Sequence, residues 1–492
     1  MNFVRAMVTV SNETLFYYYL ASNLIYLALL IVALLSSRKH HQHLASLRLE
    51  RMKISPLTPP ITVIAPAHNE EGSIVASIGS LLRVDYPELE VVVVNDGSKD
   101  ATLERLVEEY RLEPARRLYL AQLSTAPVRG IYRSTREPRL IVVDKESIGS
   151  KADAVNAGLN VASSPYTCVV DADSLLESDA LLRIMVNILE DPKRVIAAGG
   201  IVRVLNGCDI AGGKLRHVRL PRKPMAIIQV VEYLRAFLIG REAWARGNMQ
   251  MIISGAFGIF RRDAVMRAGG YRASSIGEDF DLVARLHRLM LEEKKPYRVA
   301  FVPDPVCWTE VPPTLRSLGR QRVRWQKGLV DVLWSTRDML FRKKYGRIGA
   351  VALPYLWAFE FFAPVVEIAG IASIVLGFCL HAIHRVFFVE FLVYGYLFAA
   401  MISVGAVLQE EVTYRRYNDW RDVARLVCFC FLEQFPYRQM YLVWRLQGTW
   451  EFLRGDMEWR AIERVGISAA PPGTTMLAKP LPQPAPRRIA QR

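Results

Sequence analysis

Two regions of the chain are apolar over lengths that match a membrane, and a long polar region lies between them. The first apolar region is 15–35, and the second consists of two runs, 349–380 and 386–408. A helix of roughly 20 residues crosses a bilayer, so each run is long enough to span it. Hydrophobic residues make up 51% of the chain, which a soluble protein with such runs would rarely show. We therefore predict α-helical transmembrane segments on both sides of a polar domain.

Basic residues predict the orientation of these segments. Only Arg5 precedes the first span, whereas the following residues come behind it: Arg38, Lys39, Arg48, Arg51 and Lys53. Further basic clusters, 342–347 and 415–421, flank the later pair of spans. A cleaved signal peptide carries its positive charges ahead of the apolar run, so 15–35 is predicted to be a retained anchor. The positive-inside rule then places the N-terminus outside and the polar domain in the cytosol.

The order of these features divides the chain into five regions. We predict an anchor with a basic linker (1–57), a cytosolic domain (58–345), a transmembrane hairpin (346–410), cytosolic, interfacial or partly membrane-spanning helices (411–467) and a disordered Pro-rich tail (468–492). Charges and a proline interrupt 423–446, which favours a broken or interfacial helix over a full crossing. Glu360 and Glu367 share one helical face and would either bond to a neighbouring helix or line a product path.

Net charge and cysteine spacing narrow the function classes. The charge of +15 favours membrane orientation with an anionic surface, and it is compatible with a cleft for a nucleotide diphosphate. No stretch shows a basic recognition helix or basic-aromatic repeats, so nucleic acid is not an expected partner. The six cysteines form no pair at metal-binding spacing, which argues against a zinc site.

Short apolar strands alternate with helices in the polar domain. The predicted strands are 61–65, 90–94, 140–143 and 166–170, and the predicted helices are 73–82, 102–110 and 151–161. This alternation predicts a doubly wound α/β fold with a parallel sheet. Folds of this class bind their ligands beyond the carboxyl ends of the strands.

Carboxylates follow two of these strands. Asp96-Gly97-Ser98 closes the second strand and by itself would be an ordinary turn. Asp171-Ala172-Asp173 closes the fourth, where it would be either a turn that caps a helix at 175–189 or a site for a hard divalent cation. Diphosphate oxygens and water would complete the metal shell, and the metal would neutralise charge on a leaving diphosphate.

Two helical motifs add further polar groups. Gly277-Glu278-Asp279 begins a helix, where its carboxylates either complement the helix dipole or take part in chemistry. Gln321, Arg324 and Trp325 share a helix face and could hold a diphosphate and stack against a sugar, or simply belong to a satisfied interfacial helix. The small residues in 254–260 would let a substrate approach the backbone closely.

Taken in order, these motifs resemble the processive family 2 glycosyltransferases, together with Ala67-His68-Asn69-Glu70 and Gly149-Ser150-Lys151-Ala152. That group includes the cellulose, hyaluronan, chitin-oligosaccharide and poly-N-acetylglucosamine synthases. The resemblance covers about 61–446. It implies a Rossmann-like GT-A catalytic domain in 58–345 that uses a UDP-sugar and Mg²⁺ or Mn²⁺ and inverts the anomeric carbon.

The resemblance also implies a role for each motif residue. Asp96 would contact the uridine and Lys151 would lie near the donor, while Asp173 would bind the metal with Asp171 beside it in the donor site. Asp279 would be the base that deprotonates the acceptor hydroxyl. The remaining residues would hold the diphosphate and the acceptor end: Gln321, Arg324, Trp325 and Glu278. Gly277 departs from the family pattern, since many relatives carry Thr there.

We therefore expect a multi-pass inner-membrane enzyme that adds sugars from a UDP-sugar to a growing cell-surface polysaccharide, with its catalytic domain in the cytosol. Two alternatives stay open: a single addition to a membrane lipid, and a non-catalytic scaffold that binds nucleotide sugars. The predicted membrane part is smaller than that of the cellulose synthases, so partner proteins for export belong to the expectation. An apolar stripe in 230–238 would lie either on the membrane surface or in the core.

The orientation can be tested by labelling. In a chain without native cysteines, Ser98→Cys should stay unlabelled by an impermeant maleimide in intact cells, because 38–344 is predicted to be cytosolic. Ala382→Cys, in the predicted external turn, should be labelled. Labelling at position 98 in intact cells would contradict the orientation, and labelling at both positions after permeabilisation is the control for accessibility.

Overall fold

The computed structural model describes residues 2–46, 49–211, 214–379, 385–417 and 419–456. The predicted tail 468–492 and the turn of the predicted membrane hairpin lie outside these ranges. The strands are β1 Ile61–Ala67, β2 Leu89–Asp96, β3 Leu112–Pro114, β4 Val128–Ser134, β5 Leu140–Lys145, β6 Tyr166–Val170, β7 Ser174–Leu176, β8 Val195–Val204, β9 Asp209–Ala211, β10 Lys214–His217, β11 Phe257–Arg261 and β12 Arg298–Thr309.

The helices form two sets along the chain, one up to the end of α11 and one after it. The first set is α1 Asn2–Ser46, α2 Leu49–Ile54, α3 Ile74–Leu82, α4 Thr102–Tyr110, α5 Lys151–Val161, α6 Ala180–Glu190, α7 Pro224–Leu234, α8 Glu242–Arg246, α9 Arg262–Arg267, α10 Glu278–Glu292 and α11 Leu315–Ser335. The second set is α12 Leu353–Tyr355, α13 Ala363–Cys379, α14 Arg385–Thr413, α15 Trp420–Leu432 and α16 Arg438–Leu453. π-helical turns lie at Arg235–Arg241, Ile348–Ala352, Leu356–Phe361 and Glu433–Tyr437.

Ten of the described strands form one mixed sheet in the order β3-β4-β5-β2-β1-β6-β11-β8-β12-β7. The neighbours β5, β2, β1 and β6 run parallel, as the alternation of strands and helices predicts. Beyond them, β11 runs antiparallel between β6 and β8, and β4 and β7 are also antiparallel to their neighbours. The sheet is therefore parallel at its centre and mixed towards both edges.

Helices cover both faces of this sheet, so the doubly wound architecture is confirmed. Successive strand side chains point to opposite faces. In β2, Val91 and Val93 pack in the core that contains residues of α3, α4, α6 and α7, whereas Val92 and Val94 pack in the core with α5 and α10. The strands are buried on both faces, which explains why they are continuously apolar rather than alternating.

The helix predicted at 175–189 is wrong at its start. Ser174–Leu176 is strand β7, which pairs with β12 and places Leu175 against Trp308 in a buried cluster. The helix α6 begins only at Ala180, with Asp179 at its N-cap position. Asp171 and Asp173 therefore do not cap this helix, although the N–H of Ser174 donates to the Asp171 carbonyl at 3.0 Å and closes a turn there.

Membrane-compatible helices occur where the apolar runs predict them. Within the described ranges, Val10–Ser36 and Phe388–Thr413 are long and apolar enough to cross a bilayer. The predicted span 349–380 is not one straight helix, since Ile348–Phe361 and Ala363–Cys379 meet at a bend of 43°. Because Phe435 is extended between α15 and α16, the stretch 423–446 is broken, as predicted.

The apolar stripe in 230–238 belongs to the core. Its residues are at most 4% exposed: Val230, Val231, Leu234, Phe237 and Leu238. They pack in the same cluster as residues of α14 and α15, so these helices cover this face and the core alternative is confirmed. A buried ion pair between Arg203 of β8 and Glu410 of α14 also joins the sheet to these later helices. Both side chains are 2% exposed.

A second buried ion pair lies at the carboxyl end of the central strands. The register of β2 and β5 puts Asp96 opposite Lys145. The Lys145 Nζ lies 2.7 Å from Asp96 Oδ1 and 2.6 Å from Asp153 Oδ2 of α5, and its side chain is fully buried. One ammonium group thus holds two carboxylates from different elements.

Lys145→Met should destabilise the fold, because it leaves two buried carboxylates without their cation. Loss of one partner of a buried ion pair typically costs about 3–5 kcal/mol. The thermal midpoint of the purified protein in detergent measures the effect, with Lys99→Met at an exposed position as the control. Adding Asp153→Asn to Lys145→Met should recover part of the loss. An unchanged midpoint for Lys145→Met would contradict the role of this cluster.

Candidate active site

A cavity of about 2490 Å³ lies between the carboxyl edge of the sheet, helices α10 and α11, and residues of α1, α13, α14 and α16. Every residue that the sequence predicts for the site lines it: Asp96, Lys151, Asp171, Asp173, Glu278, Asp279, Gln321, Arg324 and Trp325. They come from five separate parts of the chain. The fold therefore brings the predicted site residues together, although their individual roles do not follow from position alone.

Lys151 and Asp171 form an ion pair at the centre of the site. Lys151 is the first residue of α5, and Asp171 directly follows β6. The Lys151 ammonium contacts the Asp171 carboxylate, lies 4.0 Å from Glu278 Oε1 and donates a hydrogen bond of 3.0 Å to the Gly255 carbonyl. Burial alone would lower the pKa of Lys151, but the carboxylates of Asp171 and Glu278 outweigh it and raise that pKa. Lys151 is thus a cation held inside the cavity.

Asp171 and Asp173 supply oxygen donors that fit a hard divalent cation. Both line the cavity, and Asp173 is 7% exposed, so a bound metal would be largely shielded from water on that side. In the described parts of the chain, no group of three or more His, Cys, Asp or Glu side chains could hold a metal ion. A metal here would take its other ligands from a diphosphate and water, and it would compete with Lys151 for Asp171.

Asp279 is fixed by two backbone amides. The N–H of Gly255 donates to Asp279 Oδ2 at 2.9 Å, and the N–H of Phe280 donates to Oδ1 at 2.8 Å. Burial raises the pKa of the neighbouring Glu278, and the Asp279 carboxylate adds to this shift, although Lys151 opposes it. The two adjacent carboxyl groups therefore differ in environment, since backbone donors hold one and burial favours the neutral form of the other.

Gly255 joins Lys151 and Asp279 through its backbone. Its carbonyl accepts from Lys151 and its N–H donates to Asp279, so both side chains contact the backbone of the same residue. A Cβ at this position would lie 3.4 Å from both Lys151 Nζ and Asp279 Oδ2. The small-residue segment was predicted to admit a substrate, and in the structure it admits these two side chains.

Gln321, Arg324 and Trp325 lie on α11, as predicted. Thr314 caps this helix by accepting a hydrogen bond from the N–H of Ser317. Trp325 is 41% exposed and presents its indole to the cavity, whereas Gln321 is 9% exposed. The Gln321 Oε1 is buried and has no hydrogen-bond partner in the described residues. An acceptor of this kind is available to a donor group on a bound ligand.

Sequence reasoning missed two arginines in this region. Arg322 is 3% exposed, is ion-paired with Glu232 of α7, and lies over the Trp325 ring at 4.2 Å. Two features of the sequence could have indicated this role for Arg322. It lies three residues before Trp325, and Glu232 is an isolated charge within an apolar stripe. Arg241 lines the cavity over the Phe237 ring, and burial lowers its pKa to about 10 against the pull of Asp279.

The cavity extends from the sheet edge between the helices of the apolar regions. Its wall there includes Glu360 and Glu367, which the sequence places on one helix face. Glu360 pairs with Arg445 of α16 at 3.5 Å, and Glu367 pairs with Arg438 of the same helix at 3.1 Å. Of the two predicted alternatives, bonding to a neighbouring helix is confirmed for both residues, and both also line the cavity.

Residues 59–328, more than half of the chain, match the family model described as "Glycosyltransferase like family 2". The chain is also 29% identical over 297 residues to the poly-β-1,6-N-acetyl-D-glucosamine synthase of Staphylococcus aureus, covering 60% of each chain. The corresponding synthase of Staphylococcus epidermidis is 28% identical over 282 residues, which is 56% of this chain and 57% of the relative. This chain thus covers less than two thirds of the length of these relatives.

Among solved structures, two examples resemble this chain more distantly. A mannosyltransferase from Pyrobaculum calidifontis in complex with GDP-Man and Mn²⁺ is 20% identical and covers 84% of this chain and 99% of its own, with a TM-score of 0.46. S. aureus TarS 1-349 in complex with UDP-GlcNAc is 17% identical and covers 77% of this chain and 92% of its own, with a TM-score of 0.36. Neither likeness bears on substrate. The match to the family model, over the same sheet and helices that carry the predicted site, shows that the chain is a glycosyltransferase of family 2 with a GT-A fold.

Proposed function

We propose that this protein is an inverting membrane glycosyltransferase that transfers a sugar from a UDP-sugar to a growing cell-surface polysaccharide. The observation that carries the proposal is the shared cavity, in which the strand-end carboxylates and the α11 motif are continuous with residues of the membrane helices. A donor reaching the site from the cytosol and an acceptor extending between the membrane helices would meet beside Asp279.

The donor half of the site would lie at the sheet edge. Asp96, held in place by Lys145 at Oδ1, would accept a hydrogen bond from the uracil or ribose through Oδ2, which also accepts from the Ser147 hydroxyl at 3.1 Å. Lys151 and Arg324 would meet the negative charge of the diphosphate, and the buried Gln321 amide would accept from or donate to the same end of the donor. Cations in a shielded cavity bind a diphosphate more strongly than they would in water.

The chemical step would centre on Asp279. Its carboxylate takes the proton of the acceptor hydroxyl as the acceptor oxygen bonds to the anomeric carbon, and the bond from that carbon to the UDP oxygen breaks. Displacement from the opposite face inverts the anomeric configuration. The two amides on Asp279 fix the direction of its oxygens, which favours a geometry ready for attack. Trp325 would stack against the acceptor sugar.

A divalent metal, Mg²⁺ or Mn²⁺, would be held by Asp173 with Asp171 beside it. When bound, it would stabilise the negative charge that builds on the leaving UDP. Lys151 would then be released from Asp171 and could turn to the diphosphate, which it can reach because its ammonium is held within the same cavity. This exchange of partners would couple metal binding to donor binding.

The membrane side of the cavity favours a polysaccharide over a lipid acceptor. Its wall carries the ion pairs of Glu360 with Arg445 and of Glu367 with Arg438, together with the tyrosines Tyr18, Tyr19 and Tyr26. Hydroxyl-rich sugars can exchange hydrogen bonds with such groups, whereas acyl chains cannot satisfy them. A membrane lipid stays as the second candidate acceptor, because it too could reach the part of the cavity that lies between these helices.

The full chain in nanodiscs with Mg²⁺ and radiolabelled UDP-N-acetylglucosamine tests this function, with UDP-glucose in parallel. The relatives are poly-β-1,6-N-acetyl-D-glucosamine synthases, so we expect UDP-N-acetylglucosamine to be the donor. Label should enter a product that stays at the origin in lipid solvents and resists lipid extraction. Label only in the extracted lipid would support the single-addition enzyme instead. No consumption of any UDP-sugar, with UDP still bound, would support the scaffold.

Asp279→Asn should abolish transfer while it leaves UDP binding intact. The amide keeps the size of the side chain but cannot accept the proton, and loss of a general base costs on the order of a hundred- to ten-thousandfold in rate. Turnover and UDP affinity measured on the same preparation separate the two effects. Glu278→Gln is the matched comparison, and it should cost much less turnover. A larger loss in Glu278→Gln than in Asp279→Asn would assign the base to the neighbouring carboxylate.

A further inference from the structure

Arg322 lies inside the α11 motif and lines the same cavity, but its guanidinium is held by other protein side chains. The guanidinium carbon lies 4.2 Å from the centroid of the Trp325 indole and 5.7 Å from the centroid of the Tyr441 ring. The side chain is 3% exposed, so it offers little surface to a ligand. Arg322 is therefore placed to act on Trp325 rather than on a substrate.

Two groups from other elements hold Arg322. The Glu232 carboxylate of α7 pairs with its guanidinium, and the Tyr437 hydroxyl donates to the same carboxylate at 2.9 Å. Burial alone would lower the pKa of Arg322, but Glu232 outweighs it and raises that pKa, so the cation is retained. Tyr437 and Tyr441 also stack on each other, with ring planes 11° apart.

The helix that carries Tyr441 packs closely against α11. A Cβ at Gly448 of α16 would lie 2.7 Å from the Val323 carbonyl oxygen, and one at Gly319 of α11 would lie 2.8 Å from the Trp444 ring. Beside this contact, Arg445 donates from Nε to the Gln326 side chain at 3.1 Å. The α16 helix, which lies beyond the residues that match the family model, is thus fitted to the turn of α11 that contains Trp325.

We propose that Arg322 is a positioning residue, which, together with Glu232, Tyr437 and Tyr441, fixes the indole of Trp325 against the acceptor. This inference rests on the proposed transfer function and deepens it. A half-exposed indole has several rotamers, and ordering it in advance removes an entropy cost from acceptor binding. The planar guanidinium is suited to this role, because it can stack on a ring and pair with a carboxylate at once.

If Arg322 positions Trp325, changes at Arg322 should impair use of the acceptor but not binding of the donor. Arg322→Lys keeps the charge next to Glu232 but loses the planar stack, and it should lower turnover with acceptor by about tenfold to a hundredfold while UDP affinity changes by less than about twofold. Tyr437→Phe, which removes only the hydroxyl on Glu232, should show the same pattern more weakly. The double variant Glu232→Gln with Arg322→Met removes both buried charges, so it tests the stack without leaving an uncompensated ion.

Fluorine NMR on the full chain, labelled with fluorotryptophan and held in nanodiscs, reports the environment of the Trp325 indole and requires no turnover. The resonance of Trp325 is assigned by its loss in Trp325→Phe. It should shift and broaden in Arg322→Lys and in the double variant. Arg337→Met is the matched control, since Arg337 lies over the exposed Trp334 ring at 4.6 Å and takes no part in the site. It should move only the Trp334 resonance and leave turnover unchanged.

The outcomes distinguish the positioning role from its alternatives. A shifted Trp325 resonance with an acceptor-specific loss of turnover supports the proposal. An unchanged resonance, or equal losses in turnover and UDP affinity, overturns it in favour of a general structural role or direct donor binding. If the wild type transfers no sugar, the proposed function fails, whereas the Trp325 resonance still decides whether Arg322 orders the indole.

Discussion

A carboxylate removed from water needs a cation or backbone donors beside it, and the site depends on how this protein meets that requirement. Asp96 has Lys145, Asp171 has Lys151, and Asp279 has the amides of Gly255 and Phe280. Phe280 follows Asp279 in α10, whereas each of the other partners belongs to a different element from its carboxylate. The same contacts that assemble the sheet edge therefore fix the directions of the acidic groups, so folding and preorganisation of the site are one event.

The sequence was sufficient to predict the central parallel strands of the sheet and a set of polar residues that line one cavity. Continuous apolar strands ending in acids imply a sheet buried on both faces with polar groups at one edge, and all of the predicted site residues do line one cavity. The start of α6 was missed because Leu175 and its neighbours are held in a strand by a distant partner, Trp308. The partner that covers the 230–238 stripe could not be predicted from local sequence either, since an apolar helix face has the same pattern whether lipid or α14 covers it.

Long-range ion pairs explain the remaining gap between sequence and structure. Lys145 could have been paired with Asp96 from the strand register, once two adjacent parallel strands are aligned. Arg322 with Glu232 and Arg203 with Glu410 join residues far apart in the chain, and no local periodicity relates them. Isolated charges within apolar stretches signal that such partners exist, but only the packed structure identifies them.

These buried pairs also join the helices that follow the sheet domain to the domain that carries the site. Glu410 of α14 reaches β8, Glu433 between α15 and α16 pairs with Arg235, and α16 lies against the α11 turn that carries Trp325. A single buried charge pair is weak evidence for stability, because desolvation offsets most of its attraction, but it tolerates little displacement. Movement of these helices would separate the charges at high cost. The sheet domain and the helices that follow it should therefore move as one body.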